Sequence, residues 1–347
     1  MKRTQFLLTL LSAGTFALIT LTSAGNLNDN GDTPYQVKTF SGKINAVRAE
    51  TSGGSLTVEG GTDMNAKVEM YVRANNWNDK LSKDEIAERL KDYDITIAQE
   101  GSTIVATAKR KNNDWKRGLS ISFKFYTPRN VSTDLRTSGG SIHMASLTGT
   151  QKFRTSGGSL NISDLEGDID GQTSGGSIHM DRCRKDIDLQ TSGGSIEAKE
   201  STGKMRLHTS GGSIRLSDVK GTIDAQTSGG SVNGEDIEGE IKAGTSGGSV
   251  RLANVAGSID ASTSAGGVDV SIAKLGEYVR LSTSAGSVRV KMPLDKGLTL
   301  NLSGNHIKIP LNNFSGDTDK DRIRGTLNGG GIPVTLSASS GSVYVNQ

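Results

Sequence analysis

The stretch TSGGSLNISDLEGDIDGQ, residues 155–172, is followed without a gap by TSGGSIHMDRCRKDIDLQ, residues 173–190. The quartet Thr-Ser-Gly-Gly recurs every 18 residues from Thr137 to Thr245, and Thr-Ser-Ala-Gly continues the interval at Thr263. Another Thr-Ser-Ala-Gly begins at Thr283, and a single early copy begins at Thr51. A strict repeat of this length indicates coils that stack on one another rather than independent domains.

Apolar residues alternate at two places in each repeat when its threonine is numbered as position one. Positions six and eight form one alternating pair, positions fifteen and seventeen form another, and position eleven is also apolar in most copies. Period-two alternation is typical of strands that turn one face inward. The Thr-Ser-Gly-Gly motif and a glycine at position thirteen separate the two strands, because glycine suits tight turns. The sequence therefore predicts an all-β parallel β-solenoid, of the β-roll or β-helix type, with 18-residue coils and two short strands per coil.

The turn residues and the composition also argue against two other repeat classes, the calcium-binding β-roll and collagen. A calcium-binding β-roll needs aspartate after its glycines, whereas serine and then isoleucine, leucine or valine follow them here. The 45 glycines stand beside only 5 prolines, which excludes collagen. We interpret the repeated threonine and serine hydroxyls as ladders that satisfy the turn backbone and pack across coils.

Residues 62–130 interrupt the repeat and predict a small α+β insert near the N-terminal end. Residues 67–73 and 119–126 alternate like strands, Ser82 with Glu85 forms a capping box, and Gly101 centres a hairpin. Trp77 and Trp115 lie in polar loops of this insert. These two tryptophans are the candidate ligand-binding residues. The alternative is that the insert only caps the open end of the coil, which a solenoid requires.

Residues 137–290 hold the regular coils, and residues 291–347 are expected to form C-terminal coils and a second cap. Residues 298–302 and 306–310 are predicted strands, and residues 317–324 are predicted to be a charged loop. Residues 333–336 and 343–345 are expected to close the coil.

The first 24 residues have the organisation of a secretory signal peptide. Lys2 and Arg3 precede an uncharged apolar stretch, and Thr22-Ser23-Ala24 supplies small residues for cleavage. The mature domain is then 25–347, without a stable membrane span, and the protein is exported to the periplasm, the cell surface or the medium. Removing Lys2 and Arg3 from 40 basic and 37 acidic residues leaves 38 against 37, a net charge of +1. This balance argues against nucleic acid as a partner.

The outward columns were searched for chemistry, and the sequence predicts no catalytic, cofactor-binding or metal-binding residue. His179 and Glu197 are expected to be neighbours, but a metal needs three or four convergent ligands. The aspartates at positions fourteen and sixteen of two adjacent coils are expected to be compensated by the flanking cations Lys152 and Arg206. This acidic set is Asp168, Asp170, Asp186 and Asp188. The single cysteine, Cys183, falls at inward position eleven and is expected to be a buried apolar residue.

With its export signal and its coils of the form T-S-G-G-S-I-x-h, where x is any residue and h is apolar, the sequence resembles an adhesin-like family of bacterial proteins of unknown function. The resemblance covers roughly Lys43 to the C-terminus and includes the closing residues 339–345. It implies a β-solenoid in the cell envelope. The expected function is a non-catalytic structural or adhesive role, with a glycan or another envelope protein as partner and an oligomeric state left open. A carbohydrate-active β-helix enzyme and a periplasmic sensing or regulatory module are the alternatives.

Overall fold

The strands of each coil pair in parallel with the same strands of the coils before and after it. The computed structural model describes residues 33–61, 65–75, 81–111 and 118–347. Ile178 lies opposite Ile196, and Ile196 lies opposite Ile214, so the register advances by one 18-residue repeat per coil. Equal repeat positions therefore form columns. The chain is an all-β parallel β-solenoid, as its periodicity predicts.

The regular coils contain two strand segments each, which in several coils join into one continuous bent strand. Their strands are β8 (Ser132–Thr137), β9 (Ile142–Thr148), β10 (Gln151–Thr155), β11 (Leu160–Thr173), β12 (Ile178–Asp181), β13 (Arg184–Thr191), β14 (Ile196–Lys199), β15 (Thr202–Thr209), β16 (Ile214–Thr227), β17 (Val232–Thr245), β18 (Val250–Thr263), β19 (Val268–Thr283) and β20 (Val288–Lys291). Positions six to nine stack into one sheet, called sheet A below. Positions fourteen to eighteen stack with position one of the next coil into sheet B.

The predicted inward columns form the core. Ile214 at position six and Ile223 at position fifteen are 0% and 1% exposed, and Cys183 is 0% exposed. Gln151 is a polar residue in the isoleucine column. Its side chain accepts a hydrogen bond from Thr133 at 2.8 Å and donates one to the carbonyl of Val131 at 2.9 Å. Burial of this amide is therefore compensated by hydrogen bonds.

Each coil turns at three places, one more than the two turns that the sequence predicts. The Thr-Ser-Gly-Gly corner and the turn at position thirteen are as expected, and Gly221 has a φ of 122°. The additional bend is at position ten, where residues take a left-handed backbone near φ 50°. Aspartate and asparagine fill it in four coils, because they tolerate this conformation better than other side chains. These four are Asp164, Asp218, Asp236 and Asn254.

The position-one threonines join one coil to the next. The Thr209 hydroxyl donates to the carbonyl of Gly194 in the preceding coil at 2.8 Å. The same hydroxyl oxygen accepts from the backbone N–H of Gly212 at 3.3 Å. Position five adds a second ladder, since Ser195 Oγ accepts from the N–H of Ser213 at 3.2 Å. The expected hydroxyl ladders are present at both positions.

The N-terminal residues extend both sheets beyond the first coil. Their elements are β1 (Gln36–Phe40), β2 (Ala46–Thr51), β3 (Leu56–Gly60), β4 (Ala66–Ala74), α1 (Lys83–Leu90), β5 (Tyr93–Glu100), β6 (Thr103–Arg110) and β7 (Leu119–Thr127). Sheet A begins in the order β1, β4, β7, β3, β9. Sheet B begins in the order β5, β6, β2, β8. The insert thus covers the first coil with additional strands.

Helix α1 begins at the predicted capping box. The Ser82 side chain accepts from the backbone N–H of Glu85 at 3.3 Å, and Glu85 accepts from the N–H of Ser82 at 2.8 Å. Ile86 and Leu90 pack against the core while remaining partly exposed. In the described part of the chain, we find no helix of the length and apolarity that a bilayer crossing requires.

The C-terminal strands are β21 (Leu298–Lys308), β22 (Phe314–Thr318), β23 (Arg322–Leu327) and β24 (Ile332–Asn346). Strand β24 pairs in parallel with β19 and β20 on one side and with β21 on the other. The prediction of a charged loop at residues 317–324 was wrong, because β22 and β23 form an antiparallel hairpin on β21. Their charged side chains face solvent, which hid the strand pattern.

Candidate ligand-binding surfaces

The segment that carries Trp77 begins beside the place where the segment that carries Trp115 ends. Trp77 and Trp115 themselves lie outside the described residues. Ala74 at the end of β4 pairs with Leu119 at the start of β7. The N–H of Asn75 donates to the carbonyl of Gly118 at 3.0 Å. Residues 76–80 and 112–117 are therefore attached to two paired strand ends of sheet A.

Three of the six tyrosines lie on the outer face of the same sheet. Tyr71 of β4 and Tyr126 of β7 project outward and are half-buried. Tyr35 precedes β1 and donates its N–H to the carbonyl of Met70 at 2.7 Å, so it continues the register opposite Tyr71. Among the described residues, Tyr35 is the large hydrophobic side chain with the greatest exposure, at 46%. Outward aromatic rings gather at one end of the solenoid.

A polar network holds two of these tyrosines in place. Glu69 is 9% exposed and accepts hydrogen bonds from the hydroxyls of Tyr71 at 2.8 Å and Tyr126 at 3.4 Å. Lys67 Nζ lies 2.7 Å from the Glu69 carboxylate and 4.2 Å from the Tyr126 ring centroid. Lys124 Nζ lies 4.8 Å from the same centroid. The cation–π geometry and the carboxylate fix the ring of Tyr126.

The network shifts the ionisation of its members. Burial alone would raise the pKa of Glu69, but hydrogen bonds from Lys67 and Tyr71 and the positive charge of Lys67 lower it. Burial and the hydrogen bond to Glu69 raise the pKa of Tyr71 to about 12. Hydrogen bonds to Tyr126 and Glu59 raise the pKa of Lys124 above its usual value. At neutral pH the Glu69 carboxylate is therefore ionised and paired with Lys67, while Tyr71 keeps its proton.

A groove of about 370 Å³ continues from this network along sheet A. His143 of β9 and Thr57 of β3 line this groove side by side. Thr57 in turn lies opposite Lys124 of β7, which belongs to the network. Burial lowers the pKa of His143 below its usual value. Further along, His179 Nδ1 lies 3.3 Å from Glu197, as the sequence predicts for neighbours in one column.

The acidic cluster is present on the outer face of sheet B. The register aligns Asp168 with Asp186, and Asp170 with Asp188. Arg154 contacts Asp170 at 3.2 Å. Arg206 contacts Asp188 at 3.5 Å, as the sequence predicts for a flanking cation. These arginines pair with two of the four aspartates, Asp170 and Asp188.

The described residues were also compared with the requirements of a metal site and of a reactive thiol. In the parts of the chain that the structure describes, no group of three or more His, Cys, Asp or Glu side chains is arranged to hold a metal ion. Cys183 is buried, and burial raises the pKa of its thiol to about 11. The thiol therefore stays protonated and inaccessible, as expected for an apolar core position.

The tyrosine network, which was not predicted, does have a signal in the sequence. In KVEMYVR, residues 67–73, alternate residues are polar or aromatic, and the same alternation occurs in LSISFKFY, residues 119–126. Period-two alternation predicts that Lys67, Glu69 and Tyr71 share one face. The pairing of β4 with β7 was needed to place Lys124 and Tyr126 beside them.

The fold and its columns define a repeat protein of the β-solenoid class. The chain belongs to the Toastrack DUF4097 family, whose profile matches residues 27–346. A comparison with curated proteins finds no match.

Several solved structures are similar at low identity. A candidate adhesin from Parabacteroides distasonis is 13% identical, covering 75% of this chain and 98% of that one, with a TM-score of 0.38. A candidate lipid binding protein from the same organism is 13% identical, covering 91% and 98%, with a TM-score of 0.27. A candidate cell adhesion protein from Clostridium sporogenes is 11% identical, covering 90% and 98%, with a TM-score of 0.21. Similarity at this level does not establish a shared activity.

Proposed function

We propose that the protein is an exported, non-catalytic binding protein of the cell envelope that recognises glycans at the N-terminal end of sheet A. One observation carries this proposal. Tyr71 on β4 and Tyr126 on β7 lie on the two strands whose paired ends carry the segments of Trp77 and Trp115, and Tyr35 lies opposite Tyr71 just before β1. Outward aromatic rings combine apolar faces with polar edges, which suits sugar rings.

Charge pairing supports a binding role over a catalytic one. Lys67 pairs with Glu69, Lys124 pairs with Glu59 at 2.9 Å, and His179 contacts Glu197. A glycoside hydrolase needs one carboxyl with a raised pKa and a second that acts as base or nucleophile. The pKa of Glu69 is lowered instead. Its ionised, fixed carboxylate is suited to orienting neighbours.

The domain organisation fits an envelope protein. In this proposal residues 1–24 are removed on export and residues 25–347 form the mature solenoid in the periplasm, on the surface or in the medium. Residues 62–130 form both the cap and the recognition surface, residues 137–290 form a rigid spacer, and residues 291–347 form the second cap. A glycan or an envelope protein carrying one is the partner.

The test is binding of the mature protein, from Gly25, to a broad glycan array. Four proteins are compared: wild type, Trp77→Ala/Trp115→Ala, Tyr35→Ala and Tyr344→Ala. Tyr344 is the matched control, since it lies on the opposite end of sheet A with Arg289 5.5 Å from its ring. We expect the first two variants to lose at least one glycan that the wild type binds, and Tyr344→Ala to keep it. Absence of wild-type binding, or equal loss in all three variants, would refute the assignment.

A further inference from the structure

The Thr-Ser-Gly-Gly-Ser motif carries three hydroxyls, and the protein uses only two of them. Position one bonds to the preceding coil, as Thr191 does to the carbonyl of Gly176 at 2.8 Å. Position five accepts from the next coil, as Ser177 does from the N–H of Ser195 at 3.2 Å. In the described residues, the position-two serines make no side-chain hydrogen bond within the protein. They are exposed in each of eleven coils: Ser52, Ser138, Ser156, Ser174, Ser192, Ser210, Ser228, Ser246, Ser264, Ser284 and Ser339.

Serine occupies position two in all of these coils, although the coils differ from one another at other outward positions. Position seven is also outward, and it holds His143, Asn161, Glu197 and Arg215 in different coils. Outward positions have therefore diverged where nothing constrains them. An exposed hydroxyl that recurs in each coil without an internal partner points to a role outside the protein.

The position-eighteen side chains face this serine column across the buried threonines. Gln190 Nε2 donates to Asp188 Oδ1 at 3.1 Å, and Gln226 Nε2 donates to Asp224 Oδ1 at 3.0 Å. Each aspartate thus fixes the orientation of an amide. The carbonyl oxygens of Gln190 and Gln226 accept no hydrogen bond from the described residues, so they remain available to a ligand. His208 lies between these two glutamines in the same column.

A groove of about 760 Å³ runs between the two columns from Arg136 to Ser246. Six coil steps at a strand spacing of about 4.8 Å make it roughly 29 Å long. Its lining is more polar than apolar, with threonine on the floor and serine on one wall, and the other wall is formed by Arg136, Arg154, Gln172, Gln190, His208 and Gln226. Both arginines are ion-paired, Arg136 with Asp134 and Arg154 with Asp170. The serine wall presents the same hydroxyl at each step, and the opposite wall presents a polar or basic side chain at each step.

We propose that this groove, called the serine groove below, binds an extended, neutral, linear glycan along the solenoid axis. A β-1,4-linked chain of pyranoses is extended, and each sugar is close to one coil spacing in length. Successive sugars of such a chain are turned over, but each carries polar groups on both edges, so each sugar can meet a serine hydroxyl on one wall and a position-eighteen side chain on the other. An extended peptide fits less well, because its side chains repeat on one face at about 6.8 Å and fall out of step with the coils.

The serine groove is a second site, separate from the aromatic surface proposed above. It lies at the Thr-Ser-Gly-Gly corner, whereas the tyrosines are on sheet A. Removing Trp77, Trp115 and Tyr35 should therefore leave it intact. The two proposals can fail independently.

The test is calorimetric titration of the full mature chain with cello-oligosaccharides and chito-oligosaccharides of two to six sugars, with malto-oligosaccharides as a helical series. A triple variant, Ser174→Ala/Ser192→Ala/Ser210→Ala, removes three hydroxyls of the groove. The matched control, Ser163→Ala/Ser217→Ala/Ser271→Ala, removes three outward hydroxyls of sheet A. Thermal unfolding of both variants establishes that the fold is kept.

We expect affinity for one β-linked series to rise at least about tenfold from two to six sugars as more coils are engaged. The groove variant should lose that rise, while the control and the Trp77→Ala/Trp115→Ala/Tyr35→Ala variant keep it. Three results would overturn the proposal. These are no wild-type binding in any series, binding independent of length, and equal loss in the groove and control variants.

Discussion

A Cβ atom placed on Gly194 would lie 2.0 Å from the carbonyl oxygen of Gly176 in the preceding coil. The adjacent Gly193 is different, since a Cβ there would lie 3.5 Å from the nearest atoms. The chain itself follows this difference. Alanine replaces the first glycine of the pair at Ala265 and Ala285, while the second glycine is kept in every coil. Backbone stacking, not turn conformation alone, therefore requires glycine at position four.

The first prediction follows from this contrast. Gly194→Ala should destabilise the protein by at least about 1–3 kcal/mol, because backbone atoms must move to admit the methyl group. Gly193→Ala should change stability by less than about 1 kcal/mol. Urea unfolding followed by circular dichroism measures both. Equal midpoints would mean that the corner relaxes freely.

The second prediction concerns the threonine ladder. Thr209→Val keeps the shape but leaves the Gly212 N–H and the Gly194 carbonyl without their side-chain partner. We expect a loss of about 1–3 kcal/mol in the free energy of unfolding. Thr209→Ser, which keeps the hydroxyl, is the control and should lose less. A valine variant as stable as wild type would show that the ladder contributes nothing net.

The third prediction tests the inward and outward columns. Ile214→Asp should destabilise by more than about 3 kcal/mol, because it buries an unpaired charge. Asp224→Ala should change stability by only about 0.5 kcal/mol, since its contacts are on the surface. Melting temperatures compare the two variants directly. Equal melting temperatures would contradict the assignment of positions six and sixteen.

The fourth prediction is a pH dependence from Glu69. Its pKa is lowered in the folded state, so its contribution to stability is present above the unfolded pKa and is lost as pH falls through the folded pKa. Stability should therefore fall less steeply with acidification in Glu69→Gln than in wild type. Urea midpoints from neutral to acidic pH measure this. Glu100→Gln, which removes a carboxylate from an exposed ion pair with Arg48, is the matched control for the loss of one charge. A slope in Glu69→Gln equal to that of wild type would contradict the prediction.

The fifth prediction concerns Cys183. A buried thiol with its pKa raised to about 11 should not react with a disulfide reagent such as DTNB in the folded protein. It should react fully once urea unfolds the chain. Rapid reaction under native conditions would show that the coil around position eleven opens. Absorbance of the released thiolate follows the reaction.

The regular coils were predictable because each of their contacts is between equal positions of adjacent repeats. An apolar residue at position six of one coil packs on the residue at position six of the next coil. The members of each column can therefore be read directly from the sequence. The capping box at Ser82 was also predictable, since its partners are three residues apart. The turn at position ten was not predicted, because Ser146, Arg182 and Glu200 interrupt the series of aspartate and asparagine that marks it in the other coils.

The candidate ligand-binding residues could be predicted from the sequence less completely than the coils. The sequence pointed to Trp77 and Trp115, and the segment of Trp77 begins at Asn75 beside Gly118, where the segment of Trp115 ends. The network of Glu69, Tyr71 and Tyr126 joins strands more than 50 residues apart. No periodicity connects such positions, and only strand pairing brings them together.

The sequence by itself determined the coil length, the inward columns and the hydroxyl ladders, because an 18-residue repeat specifies its own neighbours. Only the tertiary structure decided where the ends of the solenoid are closed. Strand β24 lies between β19 and β21, and β7 lies against β3, although intervening residues separate each pair in the chain. These pairings depend on which open strand edge is available after the coils have stacked. That availability is a property of the assembled sheets and not of any local pattern.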